Sequence, residues 1–293
     1  MDAKLLQQNL LELIRRTSAE LPQDVVRILE KGHRKEKKDS TAKYALGVIL
    51  DNVALARTKS QPLCQDTGTI ICYADLPGWI DEPTFKKLFE RAVVEATRKG
   101  YLRQNSVDSL TGKNSGNNLG PGSPLFHVHQ TRGKALTVRL MLKGGGCENV
   151  GAQYSLPDNR IGAGRDLAGV RECLLDAVHQ AQGKGCGPGI LGVCIGGDRG
   201  SGYVASKEEF FRPLDDENDD PRLRRLEKRI VKEANSLGIG PMGFGGATTL
   251  LGCKVTHRNR LPASYFVSVS YMCWAFRRNG CKLSESGKIT RWL

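Results

Sequence analysis

Along the first hundred positions, apolar residues return every three or four places. Leu5, Leu6, Leu10, Leu13 and Ile14 make one helical stripe. Pro22 can open a second helix that Gly32 stops, and Asp39 and Ser40 can cap a third that runs to about Arg57. After a break over Ser60–Gly68, the apolar run Thr69–Leu76 predicts a strand. A helix then follows from about Pro83 to Lys99, with Phe85, Leu88, Phe89, Ala92, Val93 and Ala96 facing inward and Gly100 as its stop. Leu125–Gln130 and Ala135–Leu142 read as consecutive strands, Asp166–Gln182 as a helix, Ile190–Ile195 as a buried strand, and Gly200–Phe211 as the start of another helix. Leu223, Leu226, Ile230, Ala234 and Leu237 line a further helix, an apolar run covers Thr248–Val255, and Tyr265–Met272 alternates as a strand. This pattern predicts a mixed α/β (α+β) protein. It has a helical N-terminal part over 1–60, a mixed sheet with flanking helices over 61–280, and a basic tail over 281–293.

Four glycine-rich stretches interrupt the periodicity. Arg103–Gly122 is loop-like in composition, yet it lies between a helix and two strands, which makes it a long functional loop within a domain. Lys143–Asn149, KGGGCEN, exposes backbone N–H groups at a strand end; it is either an anion seat or a tight turn. Gly183–Gly202 places Cys186 between glycines, so that something other than protein can approach its thiol. Leu237–Gly246 contains a literal GxGxxG, but a helix precedes it and an apolar run follows, the reverse of the dinucleotide-binding order. The chain also lacks a phosphate-binding GxxxxGK[ST] motif.

The 293 residues are 39% hydrophobic and 26% charged, a globular composition with no apolar run long enough for a membrane helix. The N-terminus has no signal or transit pattern, so a cytoplasmic protein without a membrane partner is expected. The net charge of +13 is compatible with nucleic acid or with small anions. The basic residues are scattered and only 6% of positions are aromatic, which disfavours nucleic acid. Nine cysteines without a CxxC spacing argue against a disulfide framework or a zinc ribbon. Cys72, Cys173, Cys194 and Cys253 sit in apolar runs as core residues. Cys64, Cys147, Cys186 and Cys273 lie at loops or element ends and are the candidates for chemistry.

Six stretches carry a resemblance to a known family. They are CQDTG at Cys64–Gly68, SVDSLTGKNSGNNLGPG at Ser106–Gly122, KGGGCENVGAQYSLP at Lys143–Pro157, CGPGILGVCIGGDRGSGY at Cys186–Tyr203, GIGPMGFGGATTLLGCK at Gly238–Lys254 and NRLPASYFVSVSYMCWAFRR at Asn259–Arg278. Together they resemble the iron–sulfur (class I) fumarate hydratase and tartrate dehydratase family, in its alpha subunit or N-terminal catalytic region. KNSGNNLGPG and CWAFRR are closer to the fumarase branch.

The resemblance implies a hydro-lyase that reversibly hydrates fumarate to malate, a tricarboxylic acid cycle step, on an open-site [4Fe-4S] cluster. Its ligands would be Cys64, Cys186 and Cys273, with Cys147 outside the ligand set. An iron without a protein ligand acts as a Lewis acid on the departing hydroxyl. Asp66 would be the polar or proton-handling residue, although an Asx turn before Gly68 is its ordinary structural reading. Gln65 and Arg103 would contact the dicarboxylate, and Gly146 would donate its backbone N–H to it. Where several branches carry a site histidine, twelve residues before the third ligand, this chain has Leu261, and His257 is out of register. The family also uses a beta subunit or domain that completes the site, so the chain alone is expected to have little activity and to work in a hetero- or homo-oligomer. An L-tartrate dehydratase alpha subunit and a non-catalytic iron–sulfur binding protein are the alternatives.

Overall fold

Leu6, Leu10, Leu13 and Ile14 are all fully buried along one face of the first helix of the computed structural model, which describes residues 2–293. In chain order the elements are α1 (Ala3–Ala19), α2 (Gln23–Lys35), α3 (Thr41–Lys59), β1 (Thr69–Leu76), α4 (Glu82–Arg98), β2 (Leu125–Gln130), β3 (Leu136–Lys143) and the one-turn α5 (Gly145–Glu148). They continue as β4 (Ala152–Ser155), α6 (Leu167–Ala181), β5 (Gly189–Gly196), α7 (Arg199–Glu208), α8 (Pro221–Ser236), β6 (Leu250–Arg258), β7 (Phe266–Met272), β8 (Arg277–Leu283) and β9 (Ile289–Trp292). The expected mixed α/β class is what forms. Among the described residues, no helix is long and apolar enough to cross a membrane.

The elements fall into two units. The first takes the chain up to Pro22, Asp51–Gly145 and Ala275–Leu293; the second takes Gln23–Leu50 and Gly146–Trp274. The helices of residues 1–60 are therefore shared out and form no layer of their own: α1 belongs to the first unit, α2 to the second, and α3 contributes to both.

In the first unit a five-stranded sheet has the order β2-β1-β3-β8-β9, with β1 parallel to β2 and every other pair antiparallel. Period-two alternation aims Ile70, Cys72, Ala74 and Leu76 of β1 and Leu136, Val138, Leu140 and Leu142 of β3 into one core. α1 and α4 cover that face with Leu6, Leu10, Leu13, Phe85, Phe89 and Val93. α4 starts where Asp81 accepts the N–H of Thr84 at 2.7 Å, with Pro83 in its first turn. The stretch expected as a tail supplies Cys281 and Leu283 of β8 to this core and adds β9, where Arg16 stacks over Trp292 at 4.1 Å. Its charged residues hide the end of a strand in which Cys281 and Leu283 are buried on either side of the exposed Lys282.

In the second unit a four-stranded sheet has the order β4-β7-β5-β6, with β5 parallel to β6 and antiparallel to β7. Every residue of β5 is buried, as its unbroken apolar run predicts for a central strand. α6, α7 and α8 begin at Asp166, Asp198 and Asp220, whose carboxylates accept first-turn N–H groups. α2 does not stop at Gly32 as expected, because that glycine is there for close packing. A Cβ on Gly32 would lie 2.9 Å from Cγ2 of Thr248.

Candidate functional site

In the first unit, Cys64 lies on a loop whose backbone is tied on both sides. Leu63, the residue before it, donates its N–H to the Ser18 carbonyl at 2.9 Å, and its own carbonyl accepts from Asn52 Nδ2 at 2.9 Å. Two residues on, Asp66 accepts the Gly68 N–H on Oδ1 at 2.9 Å and the Gly145 N–H on Oδ2 at 2.7 Å. The first bond is the Asx turn that the local sequence suggests; the second crosses 79 residues to the KGGG turn. Gly68 makes that approach possible. Its φ is +81°, and a Cβ there would lie 2.7–2.8 Å from backbone atoms of Lys143.

Arg103 is exposed and its backbone is fixed. Its N–H donates to Thr67 Oγ1 at 3.2 Å, its carbonyl accepts from Asn118 Nδ2 at 2.7 Å, and its Nη1 donates to the Gln65 carbonyl at 3.4 Å. Gln65 is itself exposed. The long polar loop after Arg103 is organised by Asn118, a buried residue at φ +64°. Its amide also reaches Thr97 Oγ1 at 2.9 Å, and its Oδ1 accepts the Asn105 N–H at 2.8 Å. Asn105 in turn accepts the Thr67 N–H at 3.2 Å with its side-chain oxygen turned that way.

Arg277 is the first unit's unexpected member. Among the described residues it is the largest fully buried side chain, at 1% exposure, and its Nη1 donates to the Asp66 carbonyl at 2.6 Å. Its Nε has no partner, and among the described residues it forms no ion pair. Arginine next to a strand start carries no such signal in a sequence; its burial is decided by the pairing of β8 with β3.

In the second unit, Cys186 is half-exposed at φ +52°, a left-handed conformation unusual for a side chain with a Cβ. Its N–H donates to the Gly183 carbonyl at 3.2 Å, and its carbonyl accepts from the N–H of Trp274, the neighbour of Cys273, at 3.3 Å. The glycines around it serve Tyr271. A Cβ on Gly185 would lie 2.5 Å from the Tyr271 ring, and one on Gly189 would lie 2.2 Å from its hydroxyl. Burial pushes the Tyr271 phenol up, and Cys273, Cys147 and Cys186 act the same way, so it stays a neutral hydroxyl. The literal GxGxxG also supports this loop: Met242 N–H donates to the Gly187 carbonyl at 3.0 Å, and Gly240 N–H to Thr249 Oγ1 at 3.1 Å. Gly146 is exposed in α5, while Cys147 next to it is buried with its Sγ 3.7 Å from Met272 Sδ.

Exposure sorts the nine cysteines. Cys64 and Cys186 are half-exposed, and Cys273, at 8%, is the most exposed of the other seven. The expected core cysteines are buried, and burial pushes the Cys173 thiol up to about 12 and the Cys194 thiol up to about 11. The sequence-expected residues are thus divided. Cys64, Gln65, Asp66 and Arg103 share one tied loop system in the first unit, and Cys186, Cys273 and Gly146 belong to the second. Among the described residues, no three His, Cys, Asp or Glu side chains form a ready metal-binding group. The donor chemistry itself, cysteines outside any disulfide on backbone-locked loops, suits a thiolate-held cluster. His257 is exposed and lines a cleft of about 760 Å³ that contains none of the expected site residues.

Comparison with known proteins gives these loops a context. The family model described as Fumarate hydratase (Fumerase) matches residues 7–282. A protein of Geobacillus stearothermophilus, provisionally named a class I fumarate hydratase, is 49% identical over 98% of this chain and 57% of its own length. This chain therefore spans little more than half of that relative. A protein of Methanocaldococcus jannaschii, provisionally named the alpha subunit of L(+)-tartrate dehydratase, is 31% identical over 95% of this chain and 97% of its own. The L(+)-tartrate dehydratase alpha subunit of Escherichia coli (strain K12) is 29% identical over 89% and 85%. With nearly its whole length matched and the motif loops held as described, the chain belongs to the fumarate hydratase (Fumerase) family.

Proposed function

We propose that this chain is the cluster- and substrate-binding part of a hydro-lyase that reversibly hydrates fumarate to malate. The observation that carries the reading is the sorting of the cysteines: the three that the family motifs put forward as ligands, Cys64, Cys186 and Cys273, are the three most exposed. In this reading they hold a [4Fe-4S] cluster, which supplies a Lewis-acidic iron for the leaving hydroxyl. Arg103, exposed on a fixed backbone, grips one substrate carboxylate with two parallel N–H bonds, and Gln65 beside it presents its amide to the same ligand. Gly146 offers its N–H to the second carboxylate. Asp66 keeps a free lone pair on each oxygen beyond the bonds to Gly68 and Gly145, which leaves it able to take or hold a proton.

The greater length of the Geobacillus relative and the subunit names of the tartrate relatives support a partner, a beta subunit or domain, that completes the site. The identity of 49% to the one and 31% to the other favours fumarate over tartrate. Iron and acid-labile sulfide per chain, measured after anaerobic reconstitution, test the reading. About four of each is expected in the parent, lost in Cys64→Ala, Cys186→Ala and Cys273→Ala and retained in Cys147→Ala. A parent chain that takes up no cluster, or a cluster indifferent to those three changes, would sink it. Assays of fumarate and L-tartrate with the partner present separate the two substrates.

A further inference from the structure

Arg277 is a permanent cation at 1% exposure, and among the described residues it has no carboxylate partner. The one hydrogen bond of its side chain among the described residues is the 2.6 Å bond from Nη1 to the Asp66 carbonyl, and Nε, also buried, has no hydrogen-bond partner. A guanidinium cannot shed its charge to escape this cost, since its pKa lies far above neutrality. Buried charges are ordinarily paired. The charge lies beneath two loops: it bonds the one that carries Cys64 and Asp66, and Nη2 comes within 3.6 Å of where a Gly144 Cβ would project. The neighbouring Asp66 carboxylate forms no ion pair with it and is engaged by the Gly68 and Gly145 amides, although its Oδ2 lies 3.0 Å from the same Gly144 Cβ position. Being buried, Arg277 is out of reach of a dissolved substrate, so it acts on whatever these loops hold.

We propose that Arg277 is a positioning residue whose buried charge is the counter-charge for an anionic cofactor held at the Cys64 loop, while its Nη1–H fixes that loop through the Asp66 carbonyl. The proposal rests on the cluster reading above: a [4Fe-4S] core bound by three thiolates carries net negative charge and would be an anion for this buried cation to pair with.

The test compares the full chain with Arg277→Lys, which keeps the charge, and with Arg277→Met and Arg277→Gln, which remove it. The rise in urea midpoint on anaerobic cluster loading and the cluster's reduction midpoint potential are measured for each. Loading should raise the urea midpoint of the parent and Arg277→Lys by similar amounts and that of the neutral variants by clearly less. The potential should move to more negative values in the neutral variants only, because loss of a nearby positive charge disfavours the reduced cluster. Equal loading gains and equal potentials in all four proteins would overturn the proposal. So would equal losses in the lysine and neutral variants, which would leave Arg277 a purely geometric role. If neither neutral variant folds before loading, the charge is needed without its anion and the proposal also fails. A parent that takes no cluster defeats the cluster reading itself, a different result from a loaded parent whose variants do not differ.

Discussion

The carboxylate of Asp66 accepts the backbone N–H of Gly145 at 2.7 Å, which ties the loop after α3 to the turn after β3. Gly68 N–H occupies the other carboxylate oxygen at 2.9 Å. Asp66→Ala would leave both donors without this acceptor, at a cost of roughly 1–3 kcal/mol. Asp66→Asn keeps one acceptor oxygen and should unfold closer to the parent in urea while losing hydratase activity in the presence of the partner. Equal urea midpoints for the alanine variant and the parent would show that the two bonds contribute nothing.

Tyr271 and the glycines around Cys186 form a tight fit, so Gly185→Ala should drive a methyl into the ring and destabilise the second unit by about 1–3 kcal/mol. Shrinking the ring relieves the clash. In a double-mutant cycle, Gly185→Ala combined with Tyr271→Leu should cost less than the sum of the single changes. Additive costs would place the strain elsewhere.

Asn118 makes three side-chain hydrogen bonds, to Thr97, Arg103 and Asn105, at φ +64°. Asn118→Ala loses all three and puts a less tolerant residue in the left-handed region, so the loop over 103–122 should become a preferred site of limited proteolysis. Because Arg103 is held by this residue, dicarboxylate affinity of the reconstituted enzyme should fall at least severalfold. Unchanged cleavage and affinity would refute that role.

Asp216 in the second unit supplies a pH-dependent contribution. Burial works to raise its carboxyl, but bonds from Arg212 and the buried Lys254 outweigh that and hold it below the usual carboxylate range. A depressed folded-state pKa gives stability that is fully present above the ordinary Asp value and is lost as pH falls through the folded one. Asp216→Asn should therefore flatten the acid limb of the stability curve. It should also cost about 3 kcal/mol at neutral pH, since Lys254 is left buried without its carboxylate. Urea midpoints at pH 7 and across the acid range check both; a parallel downward shift at every pH would deny the linkage.

Much of the fold was legible in one dimension. The apolar run of β1, the period-two alternation of β7 and the 3.6-residue stripes of α1 and α4 specify element type, because each spacing matches the repeat at which that element presents a face. The family motifs likewise single out Cys64, Asp66, Cys186 and Cys273 by residue identity. The shared assignment of the N-terminal helices, the strands β8 and β9 in the basic end, and the continuation of α2 past Gly32 were not legible. Each depends on what packs against the segment from far along the chain: β3 against β8, or Thr248 against Gly32.

The sequence by itself determined most of the helices and strands, α1, α4, β1, β5 and β7 among them, which cysteines sit outside apolar runs, and which family the loops belong to. Those properties are set by local periodicity and by residue identity. Tertiary structure alone decided that Asp66 grips Gly145, that the glycines near Cys186 make room for Tyr271, and that Arg277 is buried without an acid partner. Hydrogen bonds, steric fit and desolvation act between atoms close in space, and the residues concerned are tens to hundreds of positions apart along the chain.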